Sequence, residues 1–326
     1  MRAQGNDLCE LFGYAPDDVS EPARRQWKAR SCPFVGGECI KHGHPQNGEQ
    51  PNIYGSCSVV NKIATKAPIA TVPPRKSSAV KLKEEVIICP QRLYADNYAT
   101  LKACAADAGI TSDIYLADEY ARRKKSKQLP SDYCVLLGRN SGREVTLCNP
   151  DVIELSLDWV IAYLVGPDVK LLVPCEVQSI DITGNYIANW KAYRDEKLEI
   201  PNSKHGMNWA NVWKRLIPQL ILKSSISLTS SLCHKGTYFV VPDRVYQQFE
   251  RIVGPVQTQS MAGSGVLTVM TYHLGSEVPF GAIRSLRQAR TERMLATDFA
   301  ASFASGRQLP PGSQLDAQVR AILNSL

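Results

Sequence analysis

The segment Lys170 to Ile182 reads Lys-Leu-Leu-Val-Pro-Cys-Glu-Val-Gln-Ser-Ile-Asp-Ile, an apolar run of the kind that forms a buried strand, yet it carries an acid and an amide near its end. Glu176 and Gln178 stand two residues apart, so they project from one face. Asp158 lies a hairpin's length upstream, in Leu155-Ser156-Leu157-Asp158-Trp159. Burying a carboxylate costs several kcal/mol unless it is paired or bound to a metal. Two acids and an amide in apolar strands therefore point to a divalent cation held against a phosphodiester. On this reading Asp158 and Glu176 ligate Mg²⁺. Gln178 orients a water or a phosphate oxygen, because an amide has no accessible basic pKa and cannot be the general base. The bland alternative is that each acid accepts backbone N–H groups or pairs with an arginine.

From about residue 110 the pattern is α/β alternation. Ser112 to Lys125 reads as a helix capped by Ser112. Tyr133–Leu137 and Glu144–Cys148 read as strands around the turn Arg139-Asn140-Ser141-Gly142, followed by strands over Leu155–Ala162 and Lys170–Ile182. A helix over Asn208–Leu222, a strand over Thr237–Val241, a helix over Asp243–Ile252 and a strand over Gly265–His273 come next, and helices after Phe280 close the chain. These signals predict a mixed sheet flanked by helices. Up to about residue 95 the chain is instead dense in Gly, Pro, Asn and Lys. Apart from a short helix ending near Arg24–Lys28, it has little helical periodicity and needs a staple. The expected division is 1–105 for a metal-stapled unit and 106–326 for the α/β unit. Lys62 to Lys83, with its prolines and cations, reads as a mobile basic loop.

Ten cysteines occur in the 326 residues. No apolar run approaches the ~20 residues that span a bilayer, and the N-terminus lacks a signal peptide's apolar centre, so a cytoplasmic location without membrane association is expected. Thiols there serve as metal ligands or small buried hydrophobes rather than as a disulfide framework. Cys32, Cys39, Cys57 and Cys89 lie in Gly/Pro-punctuated turns, and four thiolates satisfy the tetrahedral preference of Zn or mononuclear iron. Cys9 competes for a place in this set, with His42 and His44 as nearby alternatives. Cys104, Cys134, Cys148, Cys175 and Cys233 sit in runs that suit buried thiols. The formal net charge of +7 favours a polyanionic partner without requiring one.

Several of these segments together resemble the NotI-type restriction endonucleases, a branch of the PD-(D/E)xK nucleases in which glutamine replaces the lysine of the motif. The resemblance runs from Cys32 to about Ile252. It rests on Ser31-Cys32-Pro33-Phe34, Ser56-Cys57-Ser58-Val59, Cys89-Pro90-Gln91-Arg92, Leu157-Asp158-Trp159, Glu176-Val177-Gln178, Asp181 to Tyr186, Asn211 to Arg215 and Gly236 to Pro242. It implies a PD-(D/E)xK core with catalytic Asp158, Glu176 and Gln178. It also implies a structural iron on Cys32, Cys39, Cys57 and Cys89 in a rubredoxin-like site, to the exclusion of Cys9, although thiolates accept Zn too. A homodimer cutting both strands of a GC-rich palindrome in double-stranded DNA, paired with a cognate methyltransferase, would follow. The stretch between Cys57 and Cys89 is longer than the family leads one to expect.

Reading a G·C pair calls for two donors, most often from arginine, which makes Arg92 the first candidate for base contact. Its competing role is an ion pair at the surface of the metal unit. Lys214 and Arg215 are candidates for phosphate contact, against plain solvation. Arg122 to Lys125 reads as the solvated end of a helix. Glu154 reads as a surface strand position, and Trp190, Trp209 and Trp213 read as core. The rival functions are a repair or mobile-element nuclease of the same fold and a non-catalytic four-cysteine DNA-binding protein.

Overall fold

The computed structural model describes residues 8–43, 52–62, 83–149, 152–201, 203, 205–306 and 312–325. The expected basic loop, apart from its end residues, and His44 lie outside them. At the centre is a seven-stranded mixed sheet. Its order is Leu286–Leu295, Val266–Leu274, Thr237–Pro242, Asp168–Val177, Trp159–Val165, Asp132–Gly138 and Ile114–Leu116. Trp159–Val165 runs antiparallel to both of its neighbours, whereas Asp168–Val177, Thr237–Pro242 and Val266–Leu274 are mutually parallel. The mixed α/β architecture expected from the sequence is present.

Residues of Thr237–Pro242 show why helices must cover both faces. Phe239 and Val241 enter one apolar cluster, Tyr238 and Val240 the other, as period-two alternation requires. On the first side pack Ile217–Thr229, Asp243–Val253, Ala296–Ala304 and the N-terminal residues Leu11, Phe12 and Trp27. Ala95–Asp107 covers the second. A three-stranded antiparallel sheet, Leu8–Leu11, Ser56–Lys62 and Lys83–Ile87, thus shares the cores of the larger sheet. The boundary expected between residues 105 and 106 falls inside the helix Ala95–Asp107.

Three elements differ from expectation. Leu286–Leu295 is a ten-residue edge strand, not a helix. Its Arg, Gln, Glu and Ala favour helix locally, but pairing with Val266–Leu274 overrides that preference, and the outward charges protect an open edge. Ile114–Leu116 is a short parallel strand and the helix begins only at Ala117; the Ser112 hydroxyl binds the Asp132 carboxylate instead of capping it. Leu155–Ala162 is divided at Asp158. Ile153–Leu157 pairs with Val145–Asn149 in a separate two-stranded ribbon, and Trp159–Val165 belongs to the main sheet. Cys148 is exposed on that ribbon rather than buried, and Glu154 is exposed there as expected. No helix among the described residues is long and apolar enough to cross a membrane.

Candidate active site

Asp158 occupies the joint between ribbon and sheet. Trp159 pairs with Cys175, and one step further along this antiparallel register brings Asp158 level with Glu176. The two acids are bound together through the backbone. Asp158 N–H donates to Glu176 Oε1 at 3.3 Å, and Val177 N–H donates to Asp158 Oδ2 at 2.9 Å. Gln178 Nε2 donates to the same Oδ2 at 2.9 Å, so the three residues read from the sequence do converge. Gly138, paired with Trp159, is required by space. A Cβ there would lie 2.5 Å from the Asp158 carbonyl oxygen and 2.6 Å from the Trp159 ring. Gly138→Ala should displace Asp158 and lower the melting temperature, which thermal denaturation followed by fluorescence would show.

A fourth group reaches this centre from a distant part of the chain. Lys223 Nζ donates to Glu176 Oε2 at 2.5 Å and stands 3.9 Å from Asp158 Oδ1. Ile217, Leu220, Ser224 and Ser227 form the buried side of its helix, Ile217–Thr229. Lys223 lies on that side because its ammonium has carboxylates to meet. Thr237 Oγ1 donates to Ser227 Oγ at 2.9 Å, and Ser227 Oγ donates to Ser224 O at 2.7 Å, which fastens the helix to the sheet. Sequence reasoning missed Lys223. The signal was a lysine on the 3.6-residue period of an apolar face, where an unpartnered ammonium is not tolerated.

Glu176 is only 3% exposed. Burial, and then the charge of Asp158, push its carboxyl up to about 8 against the opposing pull of Lys223. A cation bound between the acids would reverse that penalty, and the hard oxygen donors suit Mg²⁺. A Mg²⁺ ion binding there would have to displace the Glu176 proton below this value, so any such affinity should rise by about tenfold per pH unit between roughly pH 6 and 8 and level off above. Calorimetric titration across that range checks the slope.

The four candidate thiols are all buried. Cys32 N–H bonds Gly37 O and Cys39 N–H bonds Arg30 O, folding residues 30–39 into a knuckle with Gly36 and Gly37 at positive φ. Cys57 O accepts from both Ile88 N–H and Cys89 N–H, which sets Cys57 beside Cys89. The thiols feel one another. Burial is the main cause that raises each, and the Cys89 charge adds to Cys32, Cys39 and Cys57, with Cys39 reaching about 12. Backbone N–H groups of Phe34 and Val35, of Lys41, and of Gln91 and Arg92 oppose this at Cys32, Cys39 and Cys89 respectively. Such donors favour the thiolate, the form that binds a metal. Cys9 has different neighbours, Glu85, Glu10 and Arg284. As the side chains stand, no three His, Cys, Asp or Glu among the described residues are placed to hold a metal ion. The donor set nevertheless fits a soft structural ion in its chemistry.

Arg92 corrects an expectation. It is wholly buried, its Nε and Nη2 donate to the Glu10 carboxylate at 3.0–3.1 Å, and its guanidinium stacks 4.9 Å from the Phe34 ring centroid. Nη2 also reaches Arg284 O. A guanidinium so enclosed cannot meet a base edge. Lys214 and Arg215, by contrast, are exposed, on the π-helical turn Val212–Leu216 that leads into the Lys223 helix. Trp213 is 47% exposed with Lys214 Nζ 5.0 Å from its ring centroid, so it is not a core residue. Trp190 is, packed edge-on against Phe12 and Trp27. No family model matches the chain, and no curated protein matches it either.

Proposed function

We propose that this chain is a Mg²⁺-dependent phosphodiester hydrolase that cuts double-stranded DNA at a fixed site, as the resemblance to NotI-type restriction endonucleases implies. The observation that carries the reading is the meeting of Asp158, Glu176, Gln178 and Lys223, with separations of 2.5 to 3.9 Å around two carboxylates. An ammonium, an amide and two acids are the groups needed to bind a phosphate, orient a water and hold a hard cation. A Mg²⁺ held by these residues would polarise the scissile phosphate and lower the pKa of a water. Asp158 and Glu176 hold it; Lys223 balances their charge and supplies a donor for a phosphate oxygen; Gln178, anchored through Nε2 on Asp158, keeps its Oε1 for a water proton. Lys214 and Arg215 lie nine and eight residues before Lys223, about 12–14 Å along a helix, within reach of neighbouring phosphates of the same duplex.

Cys32, Cys39, Cys57 and Cys89 would hold the structural ion, Fe by resemblance and Zn by the same chemistry. Cys89→Ser is expected to lower the bound metal, measured by elemental analysis, from about one per chain toward zero and to destabilise the fold by several kcal/mol. Metal content equal to that of the parent protein would refute the assignment. Digestion of unmethylated plasmid and genomic DNA with Mg²⁺ tests the main reading. Discrete fragments with one end sequence support it; a smear or structure-dependent nicks would make the chain a repair-type nuclease; tight binding with no cleavage in Mg²⁺ or Mn²⁺ would make it a binder.

A further inference from the structure

We propose that the C-terminal helix Gly312–Ser325 pairs with the same helix of a second copy of this chain, antiparallel about a two-fold axis. Gly312 to Asn324 are all exposed, so the helix contributes nothing to either core. A lone helix of 14 residues is marginal in water and owes its persistence to whatever covers its apolar side. Leu315, Val319, Ile322 and Leu323 form that side, at 67, 46, 57 and 64% exposure. Their spacing of four, three and one residues makes a single stripe on a 3.6-residue helix.

Charge identifies the occupant and its direction. Asp316 and Arg320 both border the stripe on the Leu323 side; the opposite border carries Gln314 and Gln318 and no charge. In an antiparallel pair each border meets its own counterpart, whereas a parallel pair sets the two different borders together. Only the antiparallel arrangement joins opposite charges. Asp316 and Arg320 are equidistant from Gln318, so an axis near residues 318 and 319 places each Asp316 beside the second copy's Arg320. The same axis sets Leu315 against the second copy's Ile322 and Leu323, and Val319 against itself. A pair of short helices buries less than a standard interface of about 1,600 Å², which makes this a weak dimer in the micromolar range.

Sedimentation velocity on the full chain without DNA tests this; the nuclease reading also expects a homodimer, and Val319→Asp separates the two, because a dimer formed through another surface survives it. Between roughly 1 and 200 µM the parent protein should pass from monomer toward dimer. Val319→Asp, and a chain ending at Gly306, should stay monomeric with unchanged thermal melting. Asp316→Arg alone should weaken association about tenfold, and the Asp316→Arg/Arg320→Asp double variant should restore it. A parent protein that is monomeric throughout, a dimer indifferent to Val319→Asp, or a double variant as weak as the single one would overturn the proposal.

Discussion

Glu176→Gln is expected to reduce Mg²⁺-dependent cleavage of duplex DNA by on the order of 10⁴-fold while leaving folding and DNA binding intact. The substitution keeps shape and one acceptor for Lys223 Nζ, which now sits 2.5 Å from Glu176 Oε2. It removes the charge on which ion binding depends. Stability should match that of the parent protein only near pH 4.5 and below, where Glu176 is protonated folded and unfolded alike, and should exceed it at neutral pH, where the parent keeps a proton that its unfolded chain has released. The sign follows from linkage. Its folded value lies above the ordinary 4.5, so the unfolded chain gives up this proton first, and stability from this group declines as pH rises from about 4.5 toward 8. The Gln variant should lack that decline. Steady-state cleavage, a filter-binding curve and urea melts at pH 5 and 8 together decide; retained cleavage would remove Glu176 from the centre.

The largest effect on stability is expected at Arg92. Arg92→Met leaves the Glu10 carboxylate without its cation in a site where both residues are about 1% exposed or less. Breaking one side of such a buried pair costs about 3–5 kcal/mol, and roughly 2–4 °C of melting temperature accompanies each kcal/mol in a chain above 150 residues. Ser58, whose hydroxyl donates to Glu10 at 2.9 Å, cannot replace a full charge. The double variant Glu10→Leu/Arg92→Met should recover much of the loss, since an apolar pair carries no orphaned charge. Calorimetric melting of the three variants checks it. If Arg92→Met melts with the parent protein, the pair is not holding the N-terminal sheet to the rest.

What the sequence made legible follows from the range of the interactions. Asp158, Glu176 and Gln178 were readable because strand parity is local: two positions apart means one face. Lys223 was not, because its partner Glu176 is 47 residues away and only packing brings them together. Which of the two roles weighed for Arg92 it takes was hidden for the same reason, as Glu10 lies 82 residues upstream. Leu286–Leu295 shows the opposite fault, a local helix preference overruled by a sheet edge that only the assembled fold supplies. The break at Asp158 inside an apparently continuous strand was equally hidden, since apolar runs on either side look alike.

That break has an outcome for how chains of this kind can vary. Because Asp158 takes its place from the Trp159–Cys175 register of the main sheet, one residue gained or lost within Ile153–Leu157 would turn over side chains of the ribbon while Asp158 stays level with Glu176. Lineages are thus free to remodel an outlying finger while the chemistry at its root stays in frame.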